Sequence, residues 1–546
     1  MMASALPLST SVLSDAEISF VLPHALDFLY AHGFVHARAP LAGGLHAGAM
    51  HVPFALLPRH LPAAAIATAE SLAVPFNILI DAIARAPAWL RDVLAATGDA
   101  DAFTGRLLSI YLRLEAESRA AEVERGRPLL QPLSLIISRS DYMISGVALK
   151  QVELNTVAVS LAAHATAIGE AHAYIAARCA SGSPALLSYF AAARVPCGPS
   201  ISRAGLARAL SMAHRAYRDN RHGNQLLETS LPLSVLFVVS DPEGNVFDQR
   251  AIEAGLWGEG VPVRRATLAQ LSDDQFATLE SSELGKGGGG GDDDVGEAVN
   301  RGCLAPRLFL APEVPNGPRT EVSVIYFRAG YAPSDYASDQ EWTAREKLER
   351  ALAIKCPTLG VHLAGTKKVQ QVLAMPGELE RFVPQVVAAT ALRSCFAGLW
   401  PLDGTPSAAA AVAAARMRPD DFVIKPQREG GGHNFFGAEV AAALAALDDD
   451  AAVRAGASMS AVTLSGHILM ERLRPDVTPA LLVRGGAVSR ADTVTEMGIY
   501  GLFIGDGKNA PLMNEAAGHL LRTKTLGVDE GGVAAGYAVL DSPLLI

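Results

Sequence analysis

The chain predicts an α/β fold divided into two or three lobes, and three observations carry that reading. Its 546 residues are too many for one hydrophobic core. Its first quarter spaces apolar residues three and four apart, the period of a helix with one buried face. From Leu231 onward, β-branched runs alternate with turns and amphipathic runs, the βαβ pattern that builds a parallel sheet.

In chain order, residues 14–130 read mostly as helices. "AEISFVLPHALDFLYAHGF" and "PFNILIDAIARAPAWLRDVLAATG" hold the spacing best. "LSLIISRSDYMISG" (133–146) is a β-branched run ending in charged and turn residues, so it reads as a strand followed by a loop. In "KQVELNT" (150–156), Val152, Leu154 and Thr156 alternate with Glu153 and Asn155 as on a strand, and helix resumes near Leu161. "LPLSVLFVVSDPEGNVFDQRAIEAGLWGEGVPVRRATLAQL" is strand, turn, helix, strand. "EVSVIYFRAGY" (321–331) is another buried strand with a polar end.

Between these two, "LGKGGGGGDDDVG" (284–296) holds five consecutive glycines and three aspartates. Such a run has nothing to bury, so it reads as a disordered surface insertion. It lacks the preceding strand and the following Lys-Ser/Thr of a phosphate loop. The last third returns to mixed α/β, with strands at Phe422–Ile424 and in "SGHILMERL" (465–473), then "TVTEMGIYGLFI" (493–504). "GHLLRTKTLGVDEGGVAAGYAVL" (518–540) adds a second glycine-bearing loop preceded by Arg522 and Lys524.

Half the residues are hydrophobic and 19% are charged, an ordinary globular balance. The net charge of −10 argues against general nucleic-acid binding, which wants a basic face, but leaves room for a local basic pocket. Five scattered cysteines without a CxxC pair suit a reducing compartment, not a disulfide framework or zinc site. The first Lys or Arg is Arg38, so neither a secretory signal nor a transit peptide is visible. The alanine-rich run 407–415 is too short to span a bilayer. The expectation is a soluble, cytoplasmic protein with no nucleic-acid or membrane partner.

The chemistry concentrates in three places. "FVIKPQREGGGHNFFG" (422–437) places Lys425, Arg428 and Glu429 against Gly430, Gly431 and Gly432. A solvated hairpin turn would also look like this. However, a strand aims Lys425, glycines let backbone N–H groups close over an anion, and Glu429 supplies the hard oxygen a divalent cation needs. That combination points to a nucleotide. In "KQVELNT", Glu153 and Asn155 stand two apart and so share a strand face, a partial octahedral shell for Mg²⁺. An exposed strand face is the plain alternative, and pairing with Glu429 favours the metal. In "RSDYM" (139–143) and "YFRAGY" (326–331), Arg139 and Arg328 follow strands and can fork a substrate carboxylate; a structural ion pair fits each equally well.

"RSDYM…LKQVELNT", "YFRAGY", "KCPTLGVHLAGTKKVQQ", "KPQREGGGHNFFG", "MERL", "EMGIYG" and "GHLLRTK…GGVAAGYAVL" together resemble the motifs of eukaryotic-type glutathione synthetases, in that family's order. The likeness runs from about residue 76 to the C-terminus, and is weakest in the first few dozen residues and near 287–294. It implies an ATP-grasp ligase, usually a homodimer, that joins γ-glutamylcysteine to glycine with ATP and Mg²⁺. The implied organisation is a helical N-terminal part and first core segment over 1–230. An inserted parallel-sheet substrate-binding domain follows over 231–366, with its flexible insertion 284–296. The rest of the core is 367–546, with a lid over 425–470 and a glycine-rich loop at 527–537.

By the same resemblance, Glu153, Asn155 and Glu429 are the magnesium ligands, and Glu153 also belongs to the nucleotide site. Lys367 and Lys425 contact ATP phosphates. Glu429 to Asn434, with His433 and then Phe436, form the lid. Met470, Glu471, Arg472, Leu473 and Glu496 wall the adenine and ribose, and Lys524 and Glu530 complete the ATP contacts. The peptide positions are Arg139, Val157, Ala158, Val159 and Ser160; then Glu243, Gly244, Asn245 and Gln249; then Arg328, Tyr331, Arg522, Val533 and Ala534. Arg139, Arg522 and Lys367 are the catalytic set. The sequence departs from the family at Glu530 (commonly Asp), Ala158 (commonly Ser), His433 (Asn), Phe436 (Tyr) and Gly244 (Arg). None of these is a magnesium ligand or a clamping arginine. An altered amine acceptor or thiol dipeptide, or a silent ATP-binding regulator, are the competing readings.

Overall fold

Ten strands position the site: β1 (Ser134–Ser145), β2 (Ala148–Asn155), β3 (Leu233–Val238), β4 (Val263–Ala266), β5 (Thr320–Phe327), β6 (Ile354–Cys356), β7 (Phe422–Pro426), β8 (His467–Glu471), β9 (Ala487–Gly505) and β10 (Met513–Thr525). The structure, a computed structural model, describes residues 13–40, 46–126, 128–146, 148–179, 183–191, 200–223, 231–280, 305–402, 405–427, 433–445, 464, 466–529, 532–533 and 536–546. Among these, all the strands above except β7 and β8 belong to one 13-stranded mixed sheet.

The two halves of that sheet differ in direction. β2, β1, β9 and β10 lie side by side and antiparallel. β6, β5, β3 and β4 are parallel, and β6 joins β1 at the Lys355–Ser134 pair. The βαβ reading is therefore borne out: helix α4 (Val246–Gly258) crosses from β3 to the parallel β4. β3 and β5 are buried almost end to end, as a strand covered on both faces must be.

Side-chain alternation divides the interior into two layers. On β1, Ile136 and Tyr142 face a core with the long helix α1 (Ala63–Ala84), while Leu135 and Ile137 face a second core with α2 (Ala162–Cys179) and α3 (Ser202–Gly223). α1 is long and apolar enough to cross a membrane. Two of its buried polar side chains are satisfied by the sheet: Asn77 donates to Leu502 O at 3.1 Å, and Asp81 accepts from Ser134 at 3.1 Å. Those bonds mark it as a helix packed on the sheet.

β7 and β8 form the centre of a separate four-stranded sheet, flanked by Leu399–Pro401 and Phe435–Phe436. It has its own small core of Phe422, Ile424, Leu464 and Leu469 under the helices Pro406–Met417 and Ala438–Ala445.

Two expectations need correction. Residues 35–40 and 46–61 are not helical: Val35–Pro40 pairs with His46–His51, and Phe54–Ala55 and Arg59–Leu61 are short strands. Phe54 pairs with Leu540 and Val483, and Arg59 with Pro543, so their partners lie beyond any local window. Nor does the chain turn to loop after Ile137. β1 continues to Ser145, because both neighbouring strands pair with its charged half, and Arg139 is a mid-strand residue. The insertion 284–296 lies outside the described residues. Cys356 and Cys395 are buried and free.

Candidate active site

Period two makes the site. Across four neighbouring strands, the register sets Glu153 beside Asp141 and Asn155 beside Arg139. It sets Asp141 beside Gly498, and Met143 beside Glu496. Glu496 in turn faces Arg522, and Val494 faces Lys524. One face of β1 thus passes from the apolar core at Leu135 and Ile137 into a charged floor at Arg139 and Asp141. Helix α1 covers the opposite face.

That floor opens into a cavity of about 1120 Å³. The small sheet supplies Lys425, Phe436 and Met470 to its wall, followed by Glu471, Arg472 and Leu473 at the end of β8. The parallel half contributes from beyond its strand ends, with Glu243, Gly244, Asn245 and Gln249 after β3 and Arg328 and Tyr331 after β5. Ligand sites in parallel sheets form off such ends. The 156–161 turn after β2 adds Val157, Ala158, Val159 and Ser160, and Asn434, Lys524 and Val533 complete the lining drawn from the sequence.

The charges are held in place. Asp141 is fully buried; its carboxylate accepts from Arg139 Nε and Nη2 at 2.7 and 2.9 Å and from Arg522 Nη2 at 2.8 Å. Arg522 also pairs closely with Glu496. Lys425 Nζ donates to Val152 O at 3.1 Å, and Lys367 Nζ stands 3.6 Å from Glu153. Lys524 Nζ donates to Asp529 O at 2.6 Å.

Arg328 donates to Val159 O, and Arg139 and Tyr500 donate to Ser160 O. The turn that offers these carbonyls holds Ala158 and Leu161 in the left-handed region, at φ 49° and 71°. Non-glycine residues hold such a conformation only where their surroundings fix it. Asp248 secures the other end by accepting from Leu161 N and Ala163 N at 2.8 and 2.9 Å at the start of α2. Glu243 accepts from Gln249 Nε2 at 2.7 Å, and Arg265 donates to Gln249 Oε1 at 2.6 Å, so the Gln249 amide is oriented from both sides.

Three carboxylates, those of Asp141, Glu153 and Glu496, have oxygens within 4.8 Å of one another. Their surroundings separate them. Burial opposes ionisation of Glu153, but Lys367, then Lys425, Arg522 and Arg139, outweigh it and hold its carboxyl below the usual range. Burial pushes Glu496 up despite Arg522, with Asp141 and Glu153 adding repulsion. Asp141 is occupied by two arginines. Glu153 is therefore the carboxylate suited to a divalent cation. Asn155 fits beside it: its Nδ2 donates to Asp141 at 2.9 Å and to Arg139 O at 3.3 Å, which leaves Oδ1 as the amide atom for a hard cation.

Not every expected residue lines the cavity. Lys367 is outside the lining, 3.6 Å from the lining residue Glu153, and His433 is exposed and outside the lining. Glu429, Gly430, Gly431, Gly432, Glu530 and Ala534 lie outside the described residues. Sequence reasoning missed Asp141, although it stands two from Arg139 and so shares its face. It also missed His36 and Val52, which line the cavity from the segment first read as helix.

The sequence matches the family model of the eukaryotic glutathione synthase ATP-binding domain over residues 15–545. It is 34% identical to glutathione synthetase from Bos taurus over 551 residues, covering 98% of both chains. It is 35% identical to the Homo sapiens enzyme over 500 residues, 90% of each. It is also 35% identical to the chloroplastic glutathione synthetase of Solanum lycopersicum over 91% of this chain and 78% of that one. Among solved structures, a glutathione synthetase-like effector from Globodera pallida in its apo form superposes with a TM-score of 0.63 at 18% identity. That match covers 98% of this chain and 99% of the other and bears on the fold alone.

Proposed function

The chain belongs to the eukaryotic glutathione synthase family, and on that premise we propose how its cavity makes glutathione from γ-glutamylcysteine, glycine and ATP. The observation that carries the assignment of roles is one cavity lined by the Glu153–Asn155 carboxylate–amide pair, by Lys425 and Lys524, and by Arg139, Arg522 and Arg328. The architecture we infer is an ATP-grasp, with nucleotide held between the small sheet and the antiparallel floor.

A carboxylate resists attack by an amine because its leaving group would be oxide. ATP removes that barrier. The C-terminal carboxylate of γ-glutamylcysteine attacks the γ-phosphate in line and becomes an acyl phosphate; glycine's amine then attacks the carbonyl, and phosphate leaves. The work of the protein is positioning and neutralisation of charge. Glu153 and Asn155, with Glu429 as the third expected ligand, would hold Mg²⁺, which would neutralise phosphate oxygens. Lys425 and Lys367 approach the phosphates from the small sheet and from the helix Lys367–Leu373. Arg139 and Arg522 hold the reacting carboxylate and the oxyanion that develops on it. Arg328, Glu243 and Gln249 hold the γ-glutamyl end, off the ends of the parallel strands. Met470 and Leu473 pack the adenine. The acyl phosphate would hydrolyse in water, so its capture by glycine requires a site that keeps water out. The working unit we propose is a cytoplasmic homodimer.

The test is ADP release with γ-glutamylcysteine, with glycine, alanine, β-alanine and spermidine as competing acceptors. Glycine should dominate. Turnover with another acceptor but not with glycine would move the chain to a different ligase activity, and no turnover with any would leave an ATP-binding protein.

A further inference from the structure

We propose that Asp141 is the positioning residue of this site, joining its metal side to its peptide side through one carboxylate. This rests on the function proposed above. Asp141 Oδ1 takes Arg139 Nε; Oδ2 takes Arg139 Nη2, Arg522 Nη2 and Asn155 Nδ2, all at 2.7–2.9 Å. An ionised carboxylate only accepts, and so does the Arg139 carbonyl that shares the Asn155 amide. Both neighbours therefore demand the NH₂ end of Asn155 and turn its oxygen toward the ligand. The same carboxylate keeps two guanidinium groups, buried Arg139 and half-buried Arg522, which repel each other, aimed at one place.

The fold makes room for this arrangement. On the neighbouring strand, Gly498 pairs with Asp141, and a Cβ there would sit 2.5 Å from Asp141 Oδ1 and 2.7 Å from Arg139 Cδ. Asp141 need not touch any substrate. Its contribution passes through Asn155 on one side and the two arginines on the other.

A swap separates the two sides. Asp141→Asn removes the charge and turns one of the two acceptor oxygens into an NH₂ donor, so one remaining oxygen must serve Asn155 and both arginines. The double variant D141N/N155D returns a carboxylate to the pair in reversed order: the new amide donates to the new carboxylate, whose second oxygen again faces the ligand, and of the two bonds that orient residue 155 only the longer one, to the Arg139 carbonyl at 3.3 Å, is lost. Binding of Mn²⁺, as a stand-in for Mg²⁺, is titrated by electron paramagnetic resonance with a non-hydrolysable ATP analogue present. The KM for γ-glutamylcysteine is measured separately. D141N should weaken Mn²⁺ at least tenfold and raise the KM at least tenfold. The double variant should bring Mn²⁺ affinity back within threefold of wild type while the KM stays raised.

Wild-type Mn²⁺ affinity and KM in D141N would overturn the proposal, as would a double variant that restores neither or both. If D141N does not fold, the double variant decides by the same two readouts. If neither variant shows a cooperative melt, Asp141 is a stability residue and the proposal fails. The Mn²⁺ comparison does not depend on which amine the enzyme accepts, so failure of the ADP-release test leaves it standing as a separate result.

Discussion

The two halves of the large sheet build active-site chemistry in different ways. In the antiparallel half, charged residues lie along the strands, on one face of β2, β1, β9 and β10, while the opposite face stays in the core. In the parallel half, β3 and β5 are buried on both faces, and the cavity lining begins only beyond their ends, at Glu243 and Arg328. The reason is coverage. A strand covered on both faces has no side to lend to a ligand, whereas a strand facing a cavity offers every second residue. A floor of interlocked charges should therefore be intolerant of change, and strand-end residues should act more independently.

Glu153→Gln tests the floor and should have the largest effect. It removes the carboxylate expected to hold Mg²⁺, so turnover should fall by about two or more orders of magnitude, the scale of lost transition-state charge stabilisation. Near-normal turnover at saturating Mg²⁺ would take Glu153 out of the site. Arg328→Ala tests the strand ends. An arginine–carboxylate bond there is worth roughly 1.5–3 kcal/mol, so the KM for γ-glutamylcysteine should rise about tenfold to a hundredfold. Nucleotide affinity, measured by calorimetry without dipeptide, should hardly move. Lys425→Ala should show the reverse pattern. If Arg328→Ala abolished nucleotide binding and spared peptide use, the division between the two halves would be wrong.

Gly498→Ala probes the floor by volume alone, since every charge is kept. Its added methyl meets Asp141 and Arg139, so stability should drop by roughly 1–3 kcal/mol, the usual cost of overpacking. A melt unchanged from wild type would mean that the floor yields easily. Acid exposes a property the halves share. His214, on α3 against Ser323 of β5, and His519, on β10, are both pushed down to about 4 by burial. Unfolded, each titrates near about 6.5. The unfolded chain therefore takes up protons first as pH falls. The stability each contributes is complete above about pH 6.5 and is lost toward pH 4, with a slope of up to about 1.4 kcal/mol per pH unit for each group. His214→Gln should flatten the fall in melting temperature across that window, and an identical slope would place the proton uptake elsewhere. Smallest of all, deleting Gly287–Asp294 should leave turnover unchanged, because a run of glycine and aspartate has little to pack. A large loss would tie that insertion to the site.

Much of this was legible in the sequence because local rules govern it. The βαβ unit from Leu233 to Ala266 follows from its own periodicity. The shared face of Glu153 and Asn155 follows from their spacing, which any strand geometry honours. The ordered motifs fixed the family. What the sequence left open was which strands become neighbours. Asp141 stands two residues from Arg139 in plain view, yet its meaning depends on Arg522, 381 positions away, and on Gly498 leaving space across the β1–β9 pair. The short strands at 54–61 were misread for the same cause: their partners lie near the other end of the chain. Periodicity reports how a segment faces its surroundings. Only the folded sheet sets which charge meets which, because register between distant strands is decided by the packing of the whole core and not by any one segment.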